Sequence, residues 1–326
     1  KVRKLFENGV EKINDNRLIE FLSHVDMRVR LASQFELVKR NKIEALADVA
    51  KESNYQLARL HGIWGIGQIS RRTKDTILKL LPLLNDKDAE VRTQTVKVIG
   101  DAKNDLAHPN LILLLEDKNA RVRTQAAIAL SKLNKGANKE ILSMLEKNNG
   151  NDPIVQHAGI LALANHSKPE ELALLSNSDS LTIKTAAIVA LRRQNNKAVS
   201  KFLNDKNNQI QLEAARAIGD EHIKTAMPNL ANLYRSTKLT KNVMRRVLNA
   251  NYRLANAESL AIVAADKNYS VLARSEALNL LAAWKNPSGR DRISGLWRPI
   301  AQRDNSLASA ALVNKIEAIL LNNQGL

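Results

Sequence analysis

DKDAEVRTQTVKVIG at residues 86–100 and DKNARVRTQAAIAL at 117–130 say nearly the same thing twice. The phrase returns more loosely as DMRVRLASQFELV (26–38), DSLTIKTAAIVAL (179–191), DKNNQIQLEAARAIG (205–219) and DKNYSVLARSEALNLL (266–281). One supersecondary unit cannot bury its apolar side alone, so successive copies must stack. The expectation is a solenoid and not a single globular core. A solenoid is in most cases a surface that holds something, and only occasionally a place where bonds are broken.

The polar residue after the first apolar position of each copy marks the period. The series is Arg30, Arg59, Arg92, Arg123, Gln156, Lys184, Gln211, Arg245 and Arg274, with Arg246 serving nearly as well as Arg245. Intervals of 27 to 34 residues suit a pair of short helices and two turns. Each unit opens on an apolar stretch, such as 43–50, 76–84, 111–115 or 226–233, and passes through an Asp/Asn/Lys turn into the repeated phrase. In its second half the apolar positions fall at helical spacing: Val91, Thr95, Val98 and Ile99, then Val122, Ala126, Ala129 and Leu130. Asp88 stands where a carboxylate caps the second helix, and Asp152–Pro153 is a cap followed by a residue suited to a first helical turn. Gly100, Gly136 and Gly219 fall where second helices should stop. No segment shows sustained alternation, so nearly the whole chain reads as helix.

The 326 residues carry no cysteine, which excludes disulfides, thiolate zinc sites and CxxCH haem attachment within this sequence. No apolar run approaches the ~18–20 residues of a membrane span. The first residues, Lys-Val-Arg, read as the start of an excised or processed piece. A net charge of +17 and a pI near 10.0 imply attraction to anions. Two readings stand side by side: lysines such as Lys87, Lys118, Lys206 and Lys267 solvate the turns, or the charge serves an anionic partner.

The recurring Arg/Asp positions (Arg30, Arg59, Asp88, Arg92, Arg123, Lys184 and Arg274) read as a hydrogen-bonding ladder that builds the repeat, interrupted at Gln156 and Gln211. The candidates for binding are the basic pairs Arg71–Arg72, Arg192–Arg193 and Arg245–Arg246, together with Arg298; Lys39–Arg40 is similar. Projected from one side of the stack they would form a positive stripe for phosphate or carboxylate. The plainer reading places them at solvated helix ends. The six histidines (24, 61, 108, 157, 166 and 222) show no metal-ligand spacing, and His24 and His108 look like turn or cap residues. GIWGIG (62–67) lies inside a second helix, with no strand before it and no lysine after it, so it is no phosphate loop and Trp64 reads as packing. Trp284 ends the last second helix. Trp297, among Arg290, Arg292, Arg298 and Arg303, marks a cap or docking element. No nucleophile motif, P-loop or carboxylate pair stands out, and no cofactor is expected.

The DxxVR…A…AL phrase resembles HEAT repeats, in particular the short bacterial type related to phycobilisome-lyase subunits, over residues 15–285. That resemblance implies an all-α, right-handed α-solenoid of about nine helical hairpins in one domain, 1–326, closed by a C-terminal helical cap at 286–326. Stretches 17–41, 56–72 and 290–304 resemble the middle region of large exported bacterial proteins, between a sugar-dehydrogenase-like propeller and a c-type cytochrome domain. This implies a periplasmic or cell-envelope scaffold for a protein partner or flanking domains. HEAT-like DNA glycosylases are basic too, but Trp64 and Trp284 stand some seven repeats apart and no catalytic Asp matches. Three functions follow: a non-catalytic interaction scaffold, a cytoplasmic nucleic-acid-binding solenoid, or a binder of acidic polysaccharide or acidic protein.

Overall fold

Most second helices begin at a short polar side chain that accepts from the first free N–H groups, α5 (N-cap Tyr55) and α15 (N-cap Thr240) being exceptions. Asp26, Asp88, Asn119, Asp152 and Asn207 do this toward the N–H groups of Arg28, Glu90, Arg121, Ile154 and Gln209, at 2.8–2.9 Å. The computed structural model describes residues 2–322, and Lys1 and the last four positions of the expected cap, 323–326, lie outside the described residues. Two compact units divide the chain, the first ending at Ser167 and the second beginning at Lys168.

Unit 1 contains α1 (Val2–Asn8), α2 (Asp15–Phe21), α3 (Met27–Lys39), α4 (Ile43–Glu52), α5 (Gln56–Ser70), α6 (Ala89–Asp101), α7 (His108–Leu113), α8 (Ala120–Leu130), α9 (Asn138–Asn148) and α10 (Pro153–His166). Its second helices form one layer in which α3 meets α5, α5 meets α6, α6 meets α8 and α8 meets α10. Unit 2 contains α11 (Pro169–Leu174), α12 (Leu181–Arg193), α13 (Asn208–Gly219), α14 (Met227–Ala231), α15 (Lys241–Arg253), α16 (Ala257–Ala265), α17 (Val271–Ala282), α18 (Ser306–Val313) and α19 (Ile316–Asn322). Here α12 meets α13, α13 meets α15 and α15 meets α17, while α18 and α19 both rest on α16. Among the described residues there are helices and turns, no named strand, and one isolated bridge between Arg290 and Trp297.

The apolar positions read from the repeat are the buried ones, Val91, Thr95, Val98 and Ile99 in α6 and Val122, Ala126, Ala129 and Leu130 in α8. Fully burying a branched side chain stabilises by about 1.5–3 kcal/mol, so each layer contributes through several such residues. Small residues set the spacing. At Gly62 a methyl would lie 2.6 Å from the Leu46 carbonyl oxygen of α4, and at Gly67 2.5 Å from a Val98 methyl of α6.

Two local expectations change. Residues Lys74–Asn85 and Lys197–Asn204 form 3-10 turns in place of α-helical first halves. Pro82 has no N–H to give an α-helical bond, which favours the tighter winding of the first of these. Gly136 does not end a second helix: α8 stops at Leu130, and the glycine lies in the following connection. Left-handed backbone after the helices falls instead on Asn41, Lys103, Asn149, Asn195, His222 and Ala255. Asparagine tolerates that conformation because its short amide bonds locally.

Candidate functional site

Three of the ladder positions, Arg59, Arg92 and Lys184, join neighbouring layers through ion pairs that are largely buried. Arg92 of α6 donates Nε and Nη2 to the Asp117 carboxylate at 2.8 and 2.9 Å, and Nη1 to the Asp86 and Lys87 carbonyls at 2.6 and 3.3 Å. Arg59 of α5 donates both terminal nitrogens to Asp86 and its Nε to the Ala50 carbonyl at 2.8 Å. In unit 2, Lys184 of α12 reaches Asp205 at 2.7 Å. One cation thus reads the next layer's turn, and Arg92 closes its own turn as well. Burial pushes the carboxyls of Asp86, Asp117 and Asp205 up. The hydrogen bonds from Arg59, Arg92 and Lys184, with nearby backbone N–H groups, outweigh it and hold all three below the usual 3.8.

The acceptors Asp86, Asp117 and Asp205 open the quoted phrases, yet the sequence reading singled out Asp88. That residue caps α6 and accepts from Gln56 Nε2 at 2.7 Å. Arg123 closes only its own turn, on the Asp117 and Lys118 carbonyls. Gln211 bonds the Leu203 carbonyl at 2.8 Å. Arg274 donates to the Asn322 carbonyl at 2.7 Å and so ties α17 to α19. Arg30 holds the His24 and Val25 carbonyls and gives its Nε to His61 Nε2 at 3.2 Å. His61 Nε2 therefore accepts, and its Nδ1–H points at Gln34 Oε1, 2.7 Å away. Burial, then the Arg30 charge, lowers this imidazole to about 4.

The basic pairs divide by what surrounds them. Arg71 and Arg72 follow the last turn of α5, where a helix C-terminus favours cations. Both are exposed, as is Lys74, and none of the three pairs with a carboxylate among the described residues. Arg72 donates only to the Val38 carbonyl, at 3.1 Å. Two adjoining hollows, of about 480 and 460 Å³, share Gln68 and Arg71. One is floored by Phe35 and Val38 with Lys39 and Arg72 on its wall; the other runs past Trp64 to Lys74. Phe35 is half-exposed, and Trp64 donates its Nε1–H to Gln94 Oε1 at 3.1 Å. The result is an apolar floor beside three unpaired cations, Arg71, Arg72 and Lys74, on the second-helix layer of unit 1, while Lys39 lies 4.0 Å from Glu36 and the lining Asp101 is held by Lys97 and Lys132. Trp64 is part of its lining as well as of the packing, and Phe35, Val38 and Lys74 belong to it although sequence alone did not single them out.

In unit 2 the candidates do different work. Arg192 and Arg193 form the last turn of α12, with Arg193 exposed. Arg246 is engaged by Asp220 through two bonds of 2.9 and 2.7 Å, whereas Arg245, one position earlier, faces outward into a cleft. The helix turns by about 100° per residue, so only one member of the pair can meet Asp220. Arg298 belongs to an irregular strap, residues 286–305, and donates to the Asp220 carbonyl at 2.8 Å. The strap is anchored by Asp291, which is buried. It accepts from the Ile293 and Ser294 N–H groups, from Asn249 at 3.0 Å and from Arg253 at 3.2 Å. Arg303 donates to the Tyr252 carbonyl at 2.5 Å and lies over the rings of Tyr252 and Trp284. Trp284 follows α17 and is fully buried. Trp297 lies against Gly289 and is 71% exposed, while Arg290, Arg292, Arg298 and Arg303 each bond elsewhere.

Among the described residues no cluster of His, Asp and Glu could hold a metal ion, and no helix is long and apolar enough to cross a membrane. Residues 43–131 and 77–164 match the family of HEAT repeats. The fold is a HEAT-like helical solenoid. No curated protein matches the chain. Among solved structures, Escherichia coli YibA is 18% identical, with a TM-score of 0.42 over 96% of this chain and 94% of its own. Human deoxyhypusine hydroxylase, in complex with glycerol, is 16% identical, with a TM-score of 0.31 over 88% and 99%. The CpcE–CpcF complex of phycocyanin lyase from Nostoc is 18% identical, with a TM-score of 0.29 over 85% and 94%.

Proposed function

We propose that this chain is a non-catalytic interaction scaffold, and that the second-helix layer of unit 1 receives an acidic segment of a protein partner. The observation that carries the reading is the group Arg71, Arg72 and Lys74, exposed and without carboxylate partners beside a floor of Phe35 and Val38. Guanidinium groups recognise carboxylates in pairs of bonds, and an apolar floor adds contact area that a phosphate backbone would leave unused.

Anisotropy titration tests it, with a labelled peptide of alternating glutamate and leucine and a labelled DNA duplex, at two salt concentrations. The peptide should bind, and Arg71→Glu/Arg72→Glu should weaken it by about tenfold or more. A duplex that binds more tightly than the peptide, with steep salt dependence, would replace this reading with the nucleic-acid one.

The larger setting is also a proposal. The resemblance of 17–41, 56–72 and 290–304 to exported propeller–HEAT–cytochrome proteins supports a periplasmic or envelope scaffold within a dehydrogenase or electron-transfer protein. Reading the full coding sequence tests it: a propeller upstream and a CxxCH domain downstream are required.

A further inference from the structure

Unit 2 holds a second recess, separate from the face just described. It lies between the first turns of α15 and α17 and has a volume of about 520 Å³, within the range of small-ligand sites. Met244, Leu248 and Leu272 supply its apolar wall, and Leu272 remains 59% exposed although it lines a concave surface. Lys241 and Arg245 lie four residues apart, so they share one face of α15. Both are exposed, and neither pairs with a carboxylate among the described residues. The wall's one acid, Glu276, is already held by Arg292 through bonds of 3.1 and 3.2 Å. The recess therefore keeps net positive charge beside an open apolar surface. The N-terminal ends of two helices of twelve or more residues add to the same sign.

We propose that this recess binds a monocarboxylate carried on an unbranched apolar chain. Arg245 and Lys241 hold the carboxylate, and the chain lies along Met244, Leu248 and Leu272. A strongly hydrated polyanion would leave the leucine and methionine surface uncovered. A neutral hydrocarbon would leave two cations unused.

Calorimetric titration of the whole chain with hexanoate, octanoate, decanoate and decan-1-ol tests this. Decanoate should bind saturably at one site, with affinity rising about three- to fourfold for each added methylene. Decan-1-ol should bind about tenfold more weakly or worse, having no charge for Arg245. Arg245→Gln should cut decanoate affinity by about tenfold while leaving the thermal melt unchanged. Lys206→Gln, an exposed turn cation elsewhere in unit 2, should change nothing. The proposal is overturned if decanoate shows no saturable binding up to about 1 mM, if Arg245→Gln binds as well as the parent, or if affinity is indifferent to chain length. Leu272→Asp supplies an independent check: retained decanoate affinity in that folded variant would also overturn it.

Discussion

Arg92 holds four oxygens with one guanidinium, two from Asp117 and two from its own turn. Both members of the pair are only 7% exposed in their side chains, so neither charge has water to fall back on. Removing one partner strands the other. Asp117→Ala should cost about 3–5 kcal/mol in chemical denaturation, and Arg92→Met/Asp117→Leu should cost less than that single change. His61 predicts a pH dependence with a definite sign. Its folded value lies near 4 against an ordinary 6.5, so the unfolded chain binds the extra proton between those values. Stability should therefore fall as pH drops from about 6.5 to about 4 and gain no further loss from this group below that, about 3 kcal/mol in all. The ladder aspartates act in a lower window. Their folded values lie below 3.8, so their stabilisation is complete above it and is lost as pH falls beneath it. Urea midpoints measured from pH 7 to 3, for the parent and His61→Gln, separate the two: the variant should lose the upper slope and keep the lower.

Helices meet where their sequences leave room. Gly62→Ala would ordinarily favour a helix by about 0.8–1 kcal/mol. Here the added methyl would lie 2.6 Å from the Leu46 carbonyl and 2.9 Å from the Ala50 nitrogen, backbone atoms that cannot swing aside. The substitution should destabilise by about 1–3 kcal/mol, measured by the urea midpoint, and a gain in stability would refute the close-contact argument. The strap makes a matching prediction. Asp291→Ala removes the acceptor shared by Asn249, Arg253 and Ser294, so limited proteolysis should cut within 286–305 before it cuts any helix. How far these elements could be read beforehand follows from the kind of signal each carries. The caps, the buried face of α6 and the partnership of second helices were legible because they rest on local spacing. The 3-10 course of Lys74–Asn85 was not, since its apolar residues fit either winding and Pro82 decides between them. The hollow beside Arg71 was half legible. The basic pair is visible in the string, but Phe35 and Val38 reach it from α3, a preceding layer. Asp291 carries no signal in the string because its partners Asn249 and Arg253 lie about forty residues away along the chain.

Over the whole molecule many of the 50 lysines and arginines are not free to meet a partner. Many cations are spent within the fold, on Asp15, Asp86, Asp117, Asp205, Asp220 and Asp291 among others. A polyanion meeting the unit 1 face finds Lys39, Arg71, Arg72 and Lys74. Duplex DNA binding there should lose about a hundredfold in affinity between 50 and 200 mM salt, as about four phosphate contacts dictate. A much steeper loss, measured by anisotropy, would mean that cations beyond this face take part. The link from Arg59 and from Arg92 to the following turn has one more effect, on how such a chain changes length. Arg59 finds its carboxylate at Asp86, and Arg92 finds an equivalent one at Asp117. Excising residues 86–116 would bring Arg59 to Asp117, the same lock in a series one repeat shorter; duplicating them would insert another identical notch. The register between adjacent notches is written into the joint itself, so gain or loss of a full segment demands no new chemistry, whereas a cut made in mid-segment would leave an arginine with nothing to read.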